Sequence, residues 1–260
     1  MTAFVTPQVQ VDGAAPTGEE MFHPALVNYG HFTAMQVRAG AVRGMDLHLR
    51  RLRCAHRELF GTELETEWVR QLMRRAITAQ RDGYLRVNLY EVEPGVPQVM
   101  TVLRPPVDAP TTPQTLTEVP YVRPFPHIKH VGSFAQIRYG ELAERAGFDD
   151  ALLLTQDGRI AETTMANIGF IENNSVVWPD APCLRGITWQ LLDASLDERG
   201  REVRTEVVTM ETIDRFDAAF LANSTGVSGV ARIGTHELPA EHPRVQELQA
   251  VYAALPWDAI

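Results

Sequence analysis

Cysteine is scarce: Cys54 and Cys183 are the two in 260 residues. Two distant cysteines make neither a disulfide framework nor a metal-binding pattern, and they fit a reducing, cytoplasmic setting. Basic charge is also short. Lys and Arg number 24 against 33 Asp and Glu, a net charge of −9, which argues against a nucleic-acid partner. No apolar run reaches the length of a membrane span. The first twenty residues lack the basic start and apolar stretch of a secretory signal. Neither an internal repeat nor a low-complexity segment is present. What remains is an ordinary globular composition, 45% hydrophobic and 22% charged, long enough for one large domain or two smaller ones.

Residues 1–20, small and polar, are expected to form a leading arm or an edge strand. Phe32–Arg38 reads as a strand, turned by Ala39-Gly40 into a hairpin with Ala41–Arg43. Asp46 reads as the N-cap of a helix that runs to Phe60 and ends at Gly61. A second helix is expected over Glu65–Arg81, then strands at Tyr84–Val92 and Gln98–Leu103. Arg104–Gln114 holds four prolines and reads as a linker, dividing a domain over 1–114 from one over 115–260. Beyond it come a helix at Phe134–Ala146 and strands Ala151–Thr155 and Arg159–Ala161 around an Asp157-Gly158 turn. Strands Ile168–Ile171 and Val176–Trp178 flank Asn173-Asn174. A helix at Thr188–Arg199 and strands at Glu202–Val208 and Ala218–Ala222 follow. Hairpins with segregated helices make the expected class α+β.

Three features then occur in order. Lys129 lies in Pro126-His127-Ile128-Lys129-His130. Glu162 lies in Gly158-Arg159-Ile160-Ala161-Glu162-Thr163-Thr164. Gly186-Ile187-Thr188 opens an apolar helix. A lysine can form a Schiff base, a carboxylate can pair with a pyridinium nitrogen, and the orphan N–H groups of a helix start can take a phosphate. These are the parts that hold pyridoxal 5'-phosphate. Each has an ordinary alternative: an exposed lysine after proline, a solvent-facing strand-end glutamate, an N-cap threonine. Asn167 either orients the carboxylate or the loop, or bonds its own backbone. Ser224-Thr225-Gly226 offers further donors or is a plain polar loop. Arg51 shares a helix face with His48 and offers a forked, permanent charge; the alternative is a solvated member of the Arg50, Arg51, Arg53 cluster. A metal site on His127 and His130 lacks a third ligand.

These residues, with the strand Phe32–Arg38 and the box His48-Leu49-Arg50-Arg51-Leu52, resemble the class IV aminotransferases. That family groups branched-chain and D-amino-acid aminotransferases with aminodeoxychorismate lyases, all fold-type IV pyridoxal-phosphate enzymes. The resemblance runs from Tyr29 to Arg232. It implies a small N-terminal α/β domain, a larger C-terminal barrel-like α/β domain and a homodimer. It implies Lys129 as Schiff-base lysine and proton shuttle and Glu162 as pyridine-nitrogen partner, with Asn167 beside it. Arg51, Ile187, Thr188, Ser224 and Thr225 would cradle the phosphate. Tyr84-Leu85-Arg86 resembles the Tyr-x-Arg strand that lines the branched-chain substrate pocket, so Arg86 is a candidate carboxylate ligand and Tyr84 and Tyr29 candidate pocket walls.

Some positions depart from the family pattern. Phe134 stands where branched-chain enzymes place a tyrosine. Gly132 stands where the lyases place an asparagine. Arg185 replaces an apolar residue or proline, where it would add charge near a phosphate or carboxylate, and the run around Tyr29 is two residues short. The expected activity is transfer of an amino group between an amino acid, or related amine, and a keto acid. The alternatives are a lyase releasing pyruvate and a silent cofactor binder.

Overall fold

Residues 7–239 and 241–260 are described by the structure, a computed structural model. The first six residues of the expected arm lie outside the described residues. Close packing divides the chain into two compact units. One comprises Met1–Val107 with Ile128–Gly132 and Pro256–Ile260; the other comprises Asp108–His127 with Ser133–Leu255. A single boundary after residue 114 does not foresee that the stretch around Lys129 and the C-terminal tail rejoin the first unit.

The first unit contains β1 (Gln8–Val11), α1 (Phe22–Leu26), β2 (His31–Val37), β3 (Ala41–Val42), α2 (Met45–Phe60), α3 (Thr66–Ala76), β4 (Gly83–Glu93) and β5 (Val96–Arg104). Its antiparallel sheet has the order β1-β5-β4-β2. Alternation sorts the faces. Met35, Val37, Leu85, Val87 and Leu89 join Leu52 of α2 and Val69, Leu72 and Met73 of α3 in one core. The intervening residues share the other face: Phe32 opposite Asn88, Ala34 opposite Arg86, Gln36 opposite Tyr84. Burying a leucine as fully as Leu52 contributes about 1.5–3 kcal/mol. A one-residue slip would exchange the two faces, so the register is firmly set.

Three expectations change here. α2 begins before Asp46: Gly44 takes φ 71°, and the Met45 N–H donates to the Asp258 carboxylate at 3.0 Å. The cap therefore comes from the far end of the chain, while Asp46 sits in the first turn, where it complements the helix dipole. α3 stops at Ala76 rather than Arg81. The N–H of Thr78 donates to Arg75 O and its hydroxyl to Arg74 O, closing the last turn. Arg81 is drawn instead to Ala39 O. β3 pairs with Asp258–Ala259, and the hairpin toward β2 is reduced to a bridge between Arg38 and Ala41.

The second unit contains β6 (Gln114–Pro120), α4 (Phe134–Arg145), β7 (Asp150–Leu154), β8 (Ile160–Thr163), β9 (Asn167–Glu172), β10 (Ser175–Pro179), α5 (Ile187–Glu198), β11 (Val203–Glu206), a 3-10 turn at Met210–Arg215, β12 (Ala218–Asn223), β13 (Gly226–Ile233), β14 (His236–Glu237) and α6 (Pro243–Ala254). The sheet order is β11-β10-β9-β12-β13-β6-β7-β8, with β14 on β13. One face packs Leu152, Ile168, Phe170, Leu221 and Val230 together; the other sets Trp178 and Phe220 against Leu192 of α5 and Val251 of α6. The class is α+β, but the sheet is mixed: β10–β11, β13–β6 and β6–β7 are parallel. The parallel step from β10 to β11 carries the chain through α5, which fixes where that helix begins. The sequence reading misses β6, β13 and α6. Two glycines weaken the strand signal of β13, although it runs through the middle of the sheet. α6 carried a legible signal, with Pro243 in its first turn and Val245, Leu248 and Val251 buried along it.

Candidate active site

In the first unit, Ile128–Gly132 extends the sheet beyond β2. The Phe32 N–H donates to Lys129 O at 2.8 Å and the Val131 N–H to Gly30 O at 3.0 Å, with His31 and His130 bridged. The Lys129 ammonium lies 4.8 Å from the centroid of the Phe32 ring, and the Arg86 guanidinium lies 3.6 Å from it. Arg86 Nε also donates to Asn88 Oδ1 at 2.8 Å. Burial pulls the Arg86 guanidinium below its ordinary pKa range. Tyr84 shares the sheet face of Arg86. Tyr29 does not belong to that row: its hydroxyl donates to Leu59 O at 3.1 Å and its ring meets Phe60 edge-on.

His48 of α2 is buried and lies 2.6 Å from the Thr33 hydroxyl. Burial, helped by the charges of Arg51 and Lys129, holds its pKa down to about 3. The imidazole is therefore neutral, and Arg51 and Lys129 both act on one buried ring. The spacing of His48 and Arg51 foresaw the shared face; it did not foresee Lys129 joining them.

In the second unit, Glu162 and Asn167 both hold the loop before α5. The Leu184 N–H donates to Glu162 Oε2 at 3.3 Å. Asn167 Nδ2 donates to Leu184 O at 2.6 Å, and the Gly186 N–H donates to Asn167 Oδ1 at 3.0 Å. A Cβ on Gly186 would stand 2.2 Å from Asn167 Oδ1, so glycine is required there. Of the two readings open for Asn167, it holds the loop. Gly186 is the N-cap residue of α5, without a side-chain capping bond. Thr188 is not the cap: its hydroxyl donates to Asn223 O at 2.6 Å, fastening the first turn of α5 to the turn between β12 and β13. There Thr225 donates its N–H and its hydroxyl to Asn223 Oδ1, at 2.8 and 2.6 Å. Ile187, Thr188, Ser224 and Thr225 are thus brought to one place.

Arg123, which the sequence reading missed, is buried with its Nε 3.6 Å from Glu162 Oε1. Its signal was an arginine just past a strand and ahead of the Lys129 stretch. Arg185 is turned to Asp193 at 3.3 Å, and Asp193 also accepts the indole N–H groups of Trp178 and Trp189, each at 2.8 Å. The Arg185 charge, expected near a phosphate or a carboxylate, meets that of Asp193. Phe134 is exposed at the start of α4. A Cβ on Gly132 would stand 3.1 Å from His130 Nδ1 and 3.2 Å from Asn28 Nδ2, so the bare glycine makes room for both side chains. Among the described residues, no helix is long and apolar enough to cross a membrane.

The family model for amino-transferase class IV matches residues 30–233. A protein described as a probable branched-chain-amino-acid aminotransferase from Rickettsia felis is 37% identical over 83 residues, 32% of this chain and 29% of the relative's own length. Among solved structures, a hypothetical aminotransferase from Mycobacterium tuberculosis in its PLP-bound form superimposes with a TM-score of 0.83 at 18% identity, covering 96% of this chain and 98% of that one. A 4-amino-4-deoxychorismate lyase from Pseudomonas aeruginosa gives 0.76 at 22% identity, covering 94% and 97%. These likenesses establish the fold-type IV architecture and leave the reaction to the site. With most of its length matched by the family model, the chain belongs to the class IV aminotransferases.

Proposed function

We propose that the protein is a pyridoxal-phosphate-dependent aminotransferase acting on an amino acid, or related amine, and a keto acid. One observation carries this reading. In the second unit a hydrogen-bonded chain runs from Glu162 through Leu184, Asn167 and Gly186 to the first turn of α5, and on through Thr188 to the Asn223 turn. It joins a carboxylate suited to a pyridinium nitrogen to a cluster of N–H and hydroxyl donors suited to a phosphate. Relatives matched over part of their length, described as probable branched-chain-amino-acid aminotransferases, support the same reaction.

When bound, the cofactor supplies an electrophilic carbon and an electron sink. Lys129 is the residue that would hold it covalently, and its amine, once displaced by the substrate's amine, is the group that would take and return a proton. Glu162 would hold the ring nitrogen, and Asn167 fixes the loop that Glu162 faces. In the second unit the N–H groups of Ile187 and Thr188, with Ser224, would bind the phosphate, and the hydroxyl rotors of Thr188 and Thr225 can re-aim from Asn223 to join them; in the first unit Arg51 is the proposed phosphate ligand. Neutral His48 adds no third positive charge beside Arg51 and Lys129. Arg86, costly to bury as a cation, gains a countercharge when a substrate carboxylate arrives, with Tyr84 beside it on the sheet face. Tyr29, committed to α2, has a lesser part as a pocket wall.

The test supplies pyridoxal phosphate, L- or D-amino acids and a keto acid acceptor, and follows the keto product. Turnover that requires the acceptor and is lost in Lys129→Ala is the expected result. Wild-type turnover in that variant would refute the assignment. Pyruvate released without acceptor would mark a lyase instead. A second copy of the chain is the proposed partner, supported by the exposed apolar side chains of Phe134, Ile137 and Met165, and light scattering measures it. Free Cys54 and Cys183 fit a cytoplasmic location.

A further inference from the structure

Glu162 is 8% exposed and Arg123 is 7% exposed. A carboxylate ionised in such a place needs a countercharge and hydrogen bonds. Leu184 supplies an N–H. Arg123 supplies the charge, with Nε 3.6 Å from Oε1, which is beyond hydrogen-bonding reach. That Nε has no hydrogen-bond partner, while the other arm of the guanidinium donates to the carbonyl of Pro126, three residues before Lys129. The guanidinium is thus anchored at one arm and aimed at Glu162 with the other.

We propose that Arg123 is a positioning residue: its guanidinium keeps Glu162 ionised and in place, and ties that carboxylate to the segment leading to Lys129. The importance of this for catalysis rests on Glu162 being the partner of the ring nitrogen. A neutral Glu162 would be a hydrogen-bond donor and could not balance a protonated ring nitrogen. Arg123 therefore acts on the reaction through Glu162. A lysine there would keep the charge but not the two-armed reach.

The test uses the full chain, with and without pyridoxal phosphate. Infrared difference spectra of the cofactor-free protein at neutral pH read the carboxyl directly. Arg123→Gln should gain the C=O band of a protonated carboxyl, which disappears in Arg123→Gln/Glu162→Gln and is absent from wild type and Arg123→Lys. A folded Arg123→Gln without that band overturns the proposal. A double-mutant cycle in urea gives a second readout. Removing one partner leaves a buried polar group uncompensated, so the double variant should unfold at higher urea than Arg123→Gln. Additive losses overturn the proposal. If Arg123→Gln does not fold, a folded double variant still supports the pairing, and an unfolded one overturns it. With cofactor, Arg123→Gln should bind pyridoxal phosphate about 10–100-fold more weakly, the range seen when a group behind a ligand is removed, and the pH profile of its visible band should change, with the profile restored in Arg123→Lys. A wild-type chain that takes up no pyridoxal phosphate would defeat the reading of Glu162 while leaving the infrared and urea results intact.

Discussion

In the first unit Lys129 is held by backbone pairing to β2, whereas in the second Glu162, Asn167 and Thr188 are held by side chains reaching the backbone of two loops. The charges differ as well. Cations gather in the first unit, where Lys129 and Arg51 act on neutral His48 and Arg86 stacks on Phe32. In the second, the carboxylate of Glu162 already meets a cation, Arg123. The first arrangement is suited to anions that arrive, a phosphate or a substrate carboxylate. The second keeps a fixed geometry ready beforehand. Substitutions in the first should therefore act mainly on chemistry and charge, and those in the second on shape and cofactor affinity.

The largest expected effect belongs to the first unit. Lys129→Ala should lower turnover by about 10²–10⁴-fold or more, as the loss of a proton-transferring group does, with little change in urea midpoint. A large loss of stability instead would erase the contrast. Next comes the fixed loop of the second unit. Gly186→Ala drives a methyl into Asn167 and should cost about 1–3 kcal/mol, together with cofactor affinity. Unchanged urea unfolding and affinity would mean that the loop is not fixed.

The buried histidines of the first unit give a pH signature. His31 and His48 are both held down to about 3, burial being the larger cause in each, against an ordinary value of 6.5. Unfolding raises their proton affinity, so the unfolded chain binds more protons between these values. The stability they contribute is complete above about pH 6.5 and is lost as pH falls toward 3, by about 1.4 kcal/mol per unit for each. Urea midpoints measured across that window should fall with acid, and His48→Gln should flatten the slope. An unchanged slope in that variant would remove His48 from the account. The remaining effects lie behind α5, the smallest of them at Arg185. Asp193→Asn weakens an acceptor of two indoles and should cost about 1–3 kcal/mol. Exposed Arg185→Gln should cost less than about 1 kcal/mol and leave cofactor affinity alone. A marked affinity loss in Arg185→Gln would return that arginine to the phosphate.

Much of this was legible in the sequence, because periodic and turn signals are local. Gly61 ends α2, the Asp157-Gly158 turn joins β7 and β8, and the small and hydroxylic residues after Glu162 lead into β9, as their order suggests. What escaped is tertiary. The cap on α2 comes from Asp258, the Lys129 stretch adds itself to β2, and Arg123 meets Glu162 across a gap in sequence that no local pattern spans. β13 was hidden by its glycines, though it is central. Capping is the ordinary alternative that the sequence position of Thr188 offers beside a phosphate donor; only the nearby Asn223 carbonyl reveals where its hydroxyl goes.

The central claim is that Lys129 is the residue through which pyridoxal phosphate works on amino acids. The most direct measurement is the visible absorption spectrum of the purified chain with pyridoxal phosphate, before and after a panel of L- and D-amino acids. The account predicts a Lys129-dependent band that an amino acid bleaches and a keto acid restores, and that is missing in Lys129→Ala. A band that is the same in both proteins, or none at all in the wild type, would contradict it.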